Sequence, residues 1–313
     1  MVGFTSFNQL NADTMRRRAA GDRLGALDLL GEHEARLPRQ AGLLRILRVE
    51  ILVELRHVDE ALRLLSDALD RGFRYRGRWL RDARFAPLAA DDRFAALVER
   101  ADRQYDEAQA LARSDLRVFM PEGDAPERGW PVLVALHGNN SDLADTAIHW
   151  QSAVRAGWLL ALPQSSEIGV TPGVFVWNDG QLAAAELDRR VGEVRGSFPT
   201  DTARTVVAGF SMGARQALEL VLGGRVPAAG VISIAAWLPD PERLAQIVRP
   251  DVVRSARTYI VVGKGDDSGY VGSLKLVDQL RSVGGSAEIE IHDGGHEYPA
   301  AVDAILLRAL RSF

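Results

Sequence analysis

Hydrophobic and polar positions follow different periods in the two parts of this chain. From about Asn8 to Arg113, apolar residues recur three and four positions apart among abundant Ala, Leu, Arg and Glu, with few β-branched residues. After Ser114, short β-rich apolar runs alternate with segments of helical period. The change predicts two domains, an all-helical one over residues 1–112 and an α/β one over residues 113–313.

The second part contains apolar runs that predict strands. Most are continuously apolar, which suits strands buried on both faces, and the helical segments between them imply crossover connections. We therefore predict an α/β fold with a mostly parallel sheet flanked by helices, in which ligands bind at the carboxyl ends of the strands. The runs are Leu116–Phe119, Pro131–Leu136, Trp158–Leu162, Thr205–Ala208, Gly230–Ile234, Tyr259–Val262 and Ala287–Ile291.

The helical part contains two segments of similar sequence. Residues Gly21–Leu30 resemble residues Arg56–Leu65 at an offset of 35 positions, with Ala26 and Ala61 in equivalent places. Small residues there would let two helices cross closely, and the spacing is near the tetratricopeptide period. The segment thus resembles the degenerate helical repeats of the tetratricopeptide family, which would offer a surface for a protein partner. The alternative is an ordinary helical bundle whose leucines only fill a core.

Composition narrows the classes of function. Hydrophobic residues make up 47% and charged residues 26% of the chain, as in ordinary globular proteins. The net charge of −4, without segregated basic runs, argues against a nucleic-acid partner. The absence of cysteine excludes disulfides, thiolate zinc sites and a cysteine nucleophile.

Location can be predicted only from missing signals. Residues 1–8 lack the basic start and the continuous apolar run of a signal peptide. No later apolar run is long enough to span a bilayer. We therefore expect a cytoplasmic protein without a membrane span.

The pentapeptide Gly209-Phe210-Ser211-Met212-Gly213 lies between a predicted strand and a helical run, Ala214–Leu222. This is the setting of a nucleophile elbow, in which a serine on a sharp strand-to-helix turn is exposed to the cleft and small neighbours avoid clashes. The motif alone is a weak signal. Its plainest alternative is a serine that caps the helix without any chemistry.

A serine nucleophile needs a histidine base and an acid that orients the histidine. Two carboxylates, Asp266 and Asp267, follow the strand Tyr259–Val262, and His296 follows the last strand in a glycine-rich loop, with His292 as its rival. Their order along the chain fits an α/β-hydrolase.

An oxyanion hole completes this type of site. It would use the backbone amide of Met212, after the nucleophile, and an amide from the loop His137-Gly138-Asn139-Asn140, after another strand. His137 itself is expected to brace this loop more than to transfer protons.

These motifs together resemble the phospholipase/carboxylesterase family, which includes acyl-protein thioesterases and small bacterial carboxylesterases. The resemblance covers most of residues 130–300 and implies that Ser211 is the nucleophile, with Asp266 and His296 as its partners and Met212 and Asn139 as amide donors. The matching pieces are Leu136-His137-Gly138, Trp177-Asn178-Asp179, Gly209–Gly213, Ile234–Pro239, Gly263–Asp266 and Gly295-His296-Glu297.

Two positions depart from the family pattern. The family usually has Trp-Phe-Asp where this chain has Trp177-Asn178-Asp179, and its thioesterases often have Gln-Gly-Gly where this chain has Met212-Gly213-Ala214. These differences bear on acyl-group preference more than on the reaction. Trp177 and Trp237 either line the substrate pocket or belong to the core.

The predicted function is hydrolysis of a carboxylic ester or thioester, with a small-molecule ester or acyl compound as substrate. Neither a metal nor an organic cofactor is implied. A serine peptidase or amidase on the same scaffold is one alternative. Another is an interaction protein in which the helical repeats bind a partner and the hydrolase part is degenerate.

Overall fold

The computed structural model describes residues 7–313, apart from the side chains of residues 241, 243 and 245. The chain forms two compact units. The first extends to Ala112 and also includes Ile168–Val174, and the second comprises Arg113–Glu167 and Phe175–Phe313. A short segment that lies between a strand and a helix of the second unit in sequence is therefore part of the first.

Helices account for the regular structure of the first unit. Successive helices pack on one another, α1 on α2, α2 on α3 and α3 on α4, and α6 packs against α4. Short 3-10 turns at Glu34–Arg36, Pro38–Gln40 and Ala83–Leu88 connect them. The helices are α1 (Phe7–Ala19), α2 (Arg23–His33), α3 (Ala41–Glu54), α4 (Val58–Asp70), α5 (Gly77–Leu80) and α6 (Asp92–Leu111).

The two segments that are similar at an offset of 35 residues have equivalent buried positions in the structure. Ala26 and Ala61 both lie in the first turn of their helices, α2 and α4, and both are fully buried. Leu30 and Leu65, one turn further along, are fully buried as well. The tetratricopeptide assignment itself stays a prediction, because buried positions at this spacing also occur in other helical bundles.

The segment Ile168–Val174 contributes to the core of the helical unit. Val170 belongs to its main hydrophobic cluster, and the backbone N–H of Arg74 donates to the Val170 carbonyl at 2.8 Å. At Gly42 on α3, a Cβ atom would lie only 2.5 Å from Val170 Cγ1. Glycine is therefore required at this close approach between helix and segment.

The second unit is built on a seven-stranded sheet in the order β1-β3-β2-β4-β5-β6-β7. β1 pairs with β3 in antiparallel fashion, and all other pairs are parallel. The predicted α/β architecture with a mostly parallel sheet is confirmed. The strands are β1 (Asp115–Phe119), β2 (Trp130–Leu136), β3 (Leu159–Gln164), β4 (Thr200–Phe210), β5 (Gly230–Ile234), β6 (Arg257–Gly263) and β7 (Ala287–His292).

One strand differs markedly from its predicted bounds. β4 begins at Thr200, whereas the apolar run that predicted it begins at Thr205. The added residues are mostly polar, and Thr200 pairs with Trp130 across an irregularity in the β2–β4 ladder. Polar residues at the start of a strand have no apolar period, so the pattern could not indicate them.

Helices cover both faces of the sheet. Along β2, Val132, Val134 and Leu136 join one hydrophobic cluster, with residues of α9, α10 and α13, while Leu133 and Ala135 join the other, with residues of α7 and α14. This alternation follows from the two-residue period of a strand. The helices are α7 (Leu143–Trp150), α8 (Ser152–Arg155), α9 (Gly180–Ser197), α10 (Met212–Leu222), α11 (Pro241–Ile247), α12 (Pro250–Ser255), α13 (Tyr270–Ser282) and α14 (Val302–Leu310).

The register of the sheet aligns the carboxyl ends of its central strands. Leu136 pairs with Gly209, Phe210 with Ile234, and Gly263 with His292. The loops that follow these strands therefore meet at one edge of the sheet. Among the described residues, no helix is both long enough and apolar enough to cross a membrane.

Candidate functional site

Ser211 occupies the turn between β4 and α10 in a strained conformation. Its φ is 55° and its ψ is −119°, values that are rare for a residue with a side chain. Its backbone N–H donates to the Ile234 carbonyl at 3.0 Å, which ties the turn to β5. Although Ser211 precedes the first residue of α10, its side chain makes no capping hydrogen bond. The geometry therefore gives no support to the simple capping alternative.

Two glycines make this turn sterically feasible. A Cβ atom at Gly209 would lie 2.5 Å from the carbonyl carbon of Gly213, and one at Gly213 would lie 2.3 Å from the carbonyl oxygen of His137. Both distances are far below van der Waals contact. The glycine spacing of the pentapeptide thus has a direct steric cause, because the end of β4 touches the start of α10 at Gly209, and α10 touches the loop after β2 at Gly213.

His296 lies between Ser211 and Asp266. Its Nε2 is 2.7 Å from Ser211 Oγ, and its Nδ1 is 2.9 Å from Asp266 Oδ2. An ionised carboxylate can only accept, so Nδ1 carries the proton and Nε2 is left to accept the serine O–H. The arrangement joins three loops at the carboxyl ends of β4, β6 and β7.

Asp266 is almost completely buried, and burial alone would raise its pKa. The hydrogen bond and the charge of His296, together with hydrogen bonds from Ser268, outweigh burial and hold the pKa of Asp266 below its usual range. Asp266 therefore carries its negative charge where it can stabilise a charged imidazole.

The two rival residues lie outside this contact. Asp267 is exposed to solvent, one residue beyond the carboxylate that reaches His296. His292 ends β7, and its Nδ1 accepts the Gly294 N–H at 3.2 Å. The structure brings Asp266 and His296 to Ser211 and does not bring Asp267 or His292 there.

Ser268 is a member of the site that the sequence analysis missed. Its N–H and its hydroxyl both donate to Asp266 Oδ1, at 3.0 and 2.6 Å. Its Oγ is also 3.0 Å from His296 Nδ1. The available signal was local, since a serine two residues after an aspartate commonly closes a turn onto that carboxylate.

The predicted oxyanion donors are the backbone N–H groups of Asn139 and Met212, and their role stays a prediction. Within residues 7–313, no hydrogen bond from the backbone N–H of Asn139 or of Met212 is found. Gly138 passes close to the nucleophile turn, because a Cβ there would lie 2.8 Å from the Phe210 ring. Both N–H groups are thus left with donor capacity near the turn.

His137 is completely buried behind this loop. Its Nδ1 lies 2.8 Å from the Gly138 carbonyl oxygen, and its Nε2 lies 3.2 Å from the Ser165 backbone N, which donates to it. Burial lowers the pKa of His137 to about 4, so the ring is neutral at physiological pH. A neutral ring with both nitrogens engaged holds the loop in place, in keeping with the predicted bracing role.

The two tryptophans occupy different environments. Trp177 is 1% exposed, and its ring centroid lies 4.9 Å from that of His137. Trp237 is 39% exposed, and its backbone N–H donates to the Ser211 carbonyl at 3.3 Å. The Arg215 guanidinium lies 5.2 Å from the Trp237 ring centroid. Trp237 therefore has an accessible face beside the nucleophile turn, and the substrate-binding role of either residue stays a prediction.

A second feature missed by the sequence analysis is a stack of aromatic rings beside His296. The Phe210 ring lies 5.4 Å from the His296 ring and is stacked at 4.2 Å on Tyr298. Tyr298 in turn stacks on His149 at 3.7 Å, and its hydroxyl accepts the Trp150 Nε1–H at 3.3 Å. The stack places the apolar ring of Phe210 beside the His296 imidazole. No group of three or more potential metal ligands was found among the described residues.

Comparison with known proteins supports the fold. No protein-family model matches the chain, and no match was found among curated proteins. A crystal structure of a Bacillus cereus protein described as uncharacterized is similar over 98% of both chains, with 23% identity and a TM-score of 0.55. The structure of esterase PE8 covers 64% of this chain and 99% of its own, with 20% identity and a TM-score of 0.54. The Bacillus cereus carboxylesterase covers 66% and 97%, with 16% identity and a TM-score of 0.51.

These similarities show that the second unit has the α/β-hydrolase fold. The Bacillus cereus protein of the first comparison also matches the helical unit, because the similarity extends over nearly the whole chain. At such identities the comparisons bear on fold and not on substrate. Membership of the phospholipase/carboxylesterase family stays a prediction.

Proposed function

We propose that this protein is a serine hydrolase that cleaves carboxylic esters or thioesters through an acyl-enzyme on Ser211. The observation that carries the proposal is the continuous hydrogen-bonded chain from Ser211 Oγ to His296 Nε2, at 2.7 Å, and from His296 Nδ1 to Asp266 Oδ2, at 2.9 Å. Nucleophile and base are within proton-transfer distance, and a buried carboxylate fixes the tautomer of the base.

In the first step, Ser211 Oγ attacks the carbonyl carbon while His296 Nε2 takes the serine proton. The tetrahedral intermediate collapses when His296 returns this proton to the leaving alcohol or thiol. Asp266 stabilises the charged imidazole throughout without accepting the proton. The products are the acyl-enzyme and the free leaving group.

In the second step, water repeats the same proton transfers and releases the carboxylic acid. Negative charge on the carbonyl oxygen would be stabilised in both steps by the backbone N–H groups of Met212 and Asn139. The first belongs to the amino end of α10, whose dipole adds to the stabilisation. The reaction itself needs no group beyond these side chains, amides and water.

Two observations support an ester or thioester over other acyl compounds. Two of the structures similar to the α/β unit are named an esterase and a carboxylesterase. The residues around the elbow also resemble those of a family that includes thioesterases. Neither observation specifies the acyl chain, so the chain length becomes a variable of the test.

The test combines covalent labelling with turnover. We expect the full-length protein to react with a fluorophosphonate probe and to hydrolyse a p-nitrophenyl ester series and a matched thioester series faster than p-nitroanilide substrates. Ser211→Ala should abolish labelling and lower kcat by about 10⁴-fold or more. Ser282→Ala, on the exposed surface of α13, is the matched control and should label like the wild type. A wild-type protein that neither labels nor turns over, or a Ser211→Ala protein that still does, would contradict the proposal.

A further inference from the structure

Glu167 is a buried carboxylate of the α/β unit. It follows β3 by a few residues and is 3% exposed. Its Oε2 accepts two backbone N–H groups, that of Asn178 at 2.7 Å and that of Asp179 at 2.9 Å. Burying a charge costs free energy unless hydrogen bonds compensate for it, so the hydrogen bonds of this carboxylate are needed to keep it buried.

Two of the hydrogen bonds to Glu167 come from the start of α9. Asp179 is the capping residue of α9, and its own side chain accepts the N–H groups of Gln181 and Leu182. The Glu167 carboxylate thus adds a second negative charge at a helix amino end, where the helix dipole favours it. The pair of short hydrogen bonds fixes the backbone of Asn178 and Asp179.

Asn178 and its neighbour Trp177 in turn hold the side chain of Asn139. The Trp177 N–H donates to Asn139 Oδ1 at 2.8 Å, and Asn139 Nδ2 donates to Asn178 Oδ1 at 2.8 Å. Both ends of the Asn139 amide are therefore held by the same two residues. The next residue, Asn140, donates its N–H to the Phe175 carbonyl at 2.9 Å, so that the whole loop is tied to this stretch of chain.

The backbone of the loop is left-handed at the same place. Asn140 has a φ of 58°, a conformation that asparagine adopts more readily than most residues other than glycine. Its N–H bond to Phe175 holds this conformation in place. The Asn139 N–H, immediately before it, is the amide assigned above to the oxyanion.

We propose that Glu167 is a positioning residue for the oxyanion loop, which acts through Asn178 and the side chain of Asn139 and not by contact with substrate. The inference rests on the proposed hydrolase function. In this role the carboxylate fixes the direction of the Asn139 N–H. A displacement of about 1 Å in such a donor costs up to about 100-fold in rate.

The first test is Glu167→Ala in the full-length protein. We expect kcat on a p-nitrophenyl ester to fall by about 10- to 100-fold with KM nearly unchanged, because an oxyanion donor acts mainly in the transition state. The rate of fluorophosphonate labelling, whose intermediate also carries a charged oxygen, should fall in parallel. Glu167→Gln keeps an acceptor oxygen and should recover most of kcat.

Glu186→Ala is the matched control. Glu186 is also a buried carboxylate that accepts a backbone N–H, that of Ser166, but none of its hydrogen bonds involves the 138–141 loop or residues 175–179. We expect this variant to lose stability but to keep the wild-type kcat per folded molecule. Equal kcat losses in Glu167→Ala and Glu186→Ala would overturn the proposal.

A double-mutant cycle separates positioning from general destabilisation. If Glu167 acts through Asn139, the combined Glu167→Ala, Asn139→Ala variant should lose little more kcat than the worse single variant. Multiplicative losses would overturn the proposal. Should Glu167→Ala fail to fold, Glu167→Asp carries the test, because its shorter side chain cannot reach both N–H groups and a wild-type kcat would contradict the proposed role. An active wild-type protein with any of these contrary results refutes only the role of Glu167, whereas an inactive wild type refutes the proposed function.

Discussion

The two units bury charged side chains in different ways. In the helical unit, Arg45 forms ion pairs with Glu34 at 2.8 Å and with Asp67, and Glu50 pairs with Arg84 at 2.6 Å. The side chains of each pair belong to different α-helices or 3-10 turns, and each pair consists of opposite charges. They therefore join α3 to α4 and to two of the 3-10 turns.

In the α/β unit, two buried carboxylates accept hydrogen bonds from a serine and from the backbone. Asp266 accepts hydrogen bonds from Ser268 and lies against His296, while Glu167 accepts backbone N–H groups. Both carboxylates lie in loops at the carboxyl ends of strands. The comparison teaches that these ion pairs of the helical unit connect its elements, whereas Asp266 and Glu167 hold polar groups of neighbouring loops by hydrogen bonds.

The largest effect expected from this difference concerns Asp266. We predict that Asp266→Asn lowers kcat on the best ester substrate by about 10⁴-fold, because an amide stabilises the wrong tautomer of His296. Steady-state kinetics with Asp267→Asn as the matched control measures this. The neighbouring substitution is exposed and should leave kcat close to the wild-type value; comparable losses would mean that the geometric choice between the two carboxylates is wrong.

Packing in the helical unit should give a stability effect without a chemical one. Leu65→Ala removes a fully buried side chain from α4 and should lower the free energy of unfolding by about 2–5 kcal/mol. Leu24→Ala, at an exposed position of α2, should change it by less than about 0.5 kcal/mol. Urea denaturation gives both values, and kcat per folded molecule should stay near the wild-type value in each variant.

Acid should weaken the α/β unit through His137. Its folded pKa of about 4 lies below the ordinary 6.5, so between these pH values the unfolded chain binds a proton that the folded protein does not. The free energy of unfolding should therefore fall by up to about 3 kcal/mol as the pH drops from 6.5 to 4. His149, whose pKa burial also lowers, contributes in the same direction. Hydrogen exchange of peptides from this unit, in the wild type and in His137→Gln, measures the slope, and an unchanged slope in the variant would contradict the assignment.

The helical unit should respond to pH with the opposite sign through Glu50. Burial raises the pKa of Glu50 above its ordinary 4.5, although Arg84 and Arg18 oppose this. As the pH rises above 4.5, the unfolded chain releases a proton that the folded protein keeps, and stability is lost. Hydrogen exchange of α3 peptides should show this loss in the wild type and not in Glu50→Gln. A positive slope in the wild type would show that the ion pairs outweigh burial.

The smallest predicted effect is a gain in stability on α9. A Cβ atom at Gly192 would meet no heavy atom within 4 Å, so Gly192→Ala should stabilise the protein by about 0.5–1 kcal/mol through a less flexible unfolded chain. Thermal denaturation measures it. Gly213→Ala, in the elbow, should shift the midpoint in the opposite direction, because its added Cβ meets the His137 carbonyl oxygen.

Much of the fold could be predicted because the apolar periods are local. Every strand of the sheet overlaps one of the predicted runs, and the largest difference in bounds is the polar start of β4. The identity of the helical unit could not be decided in this way. Buried Ala26 and Ala61 fit a repeat, but periodicity reports which face is buried and not which family of repeats it belongs to.

The sequence by itself determined the elbow around Ser211 and the order of its partners. Glycine spacing, strand context and the presence of a carboxylate and a histidine in later loops are local properties that survive without coordinates. Only the tertiary structure decided that Asp266 and not Asp267 faces His296, and that Ser268, Glu167 and Phe210 belong around the site. The reason is physical. Which side chain of a loop points inward depends on contacts with residues far away in the chain. A shift of the loop by one residue would turn the other carboxylate inward.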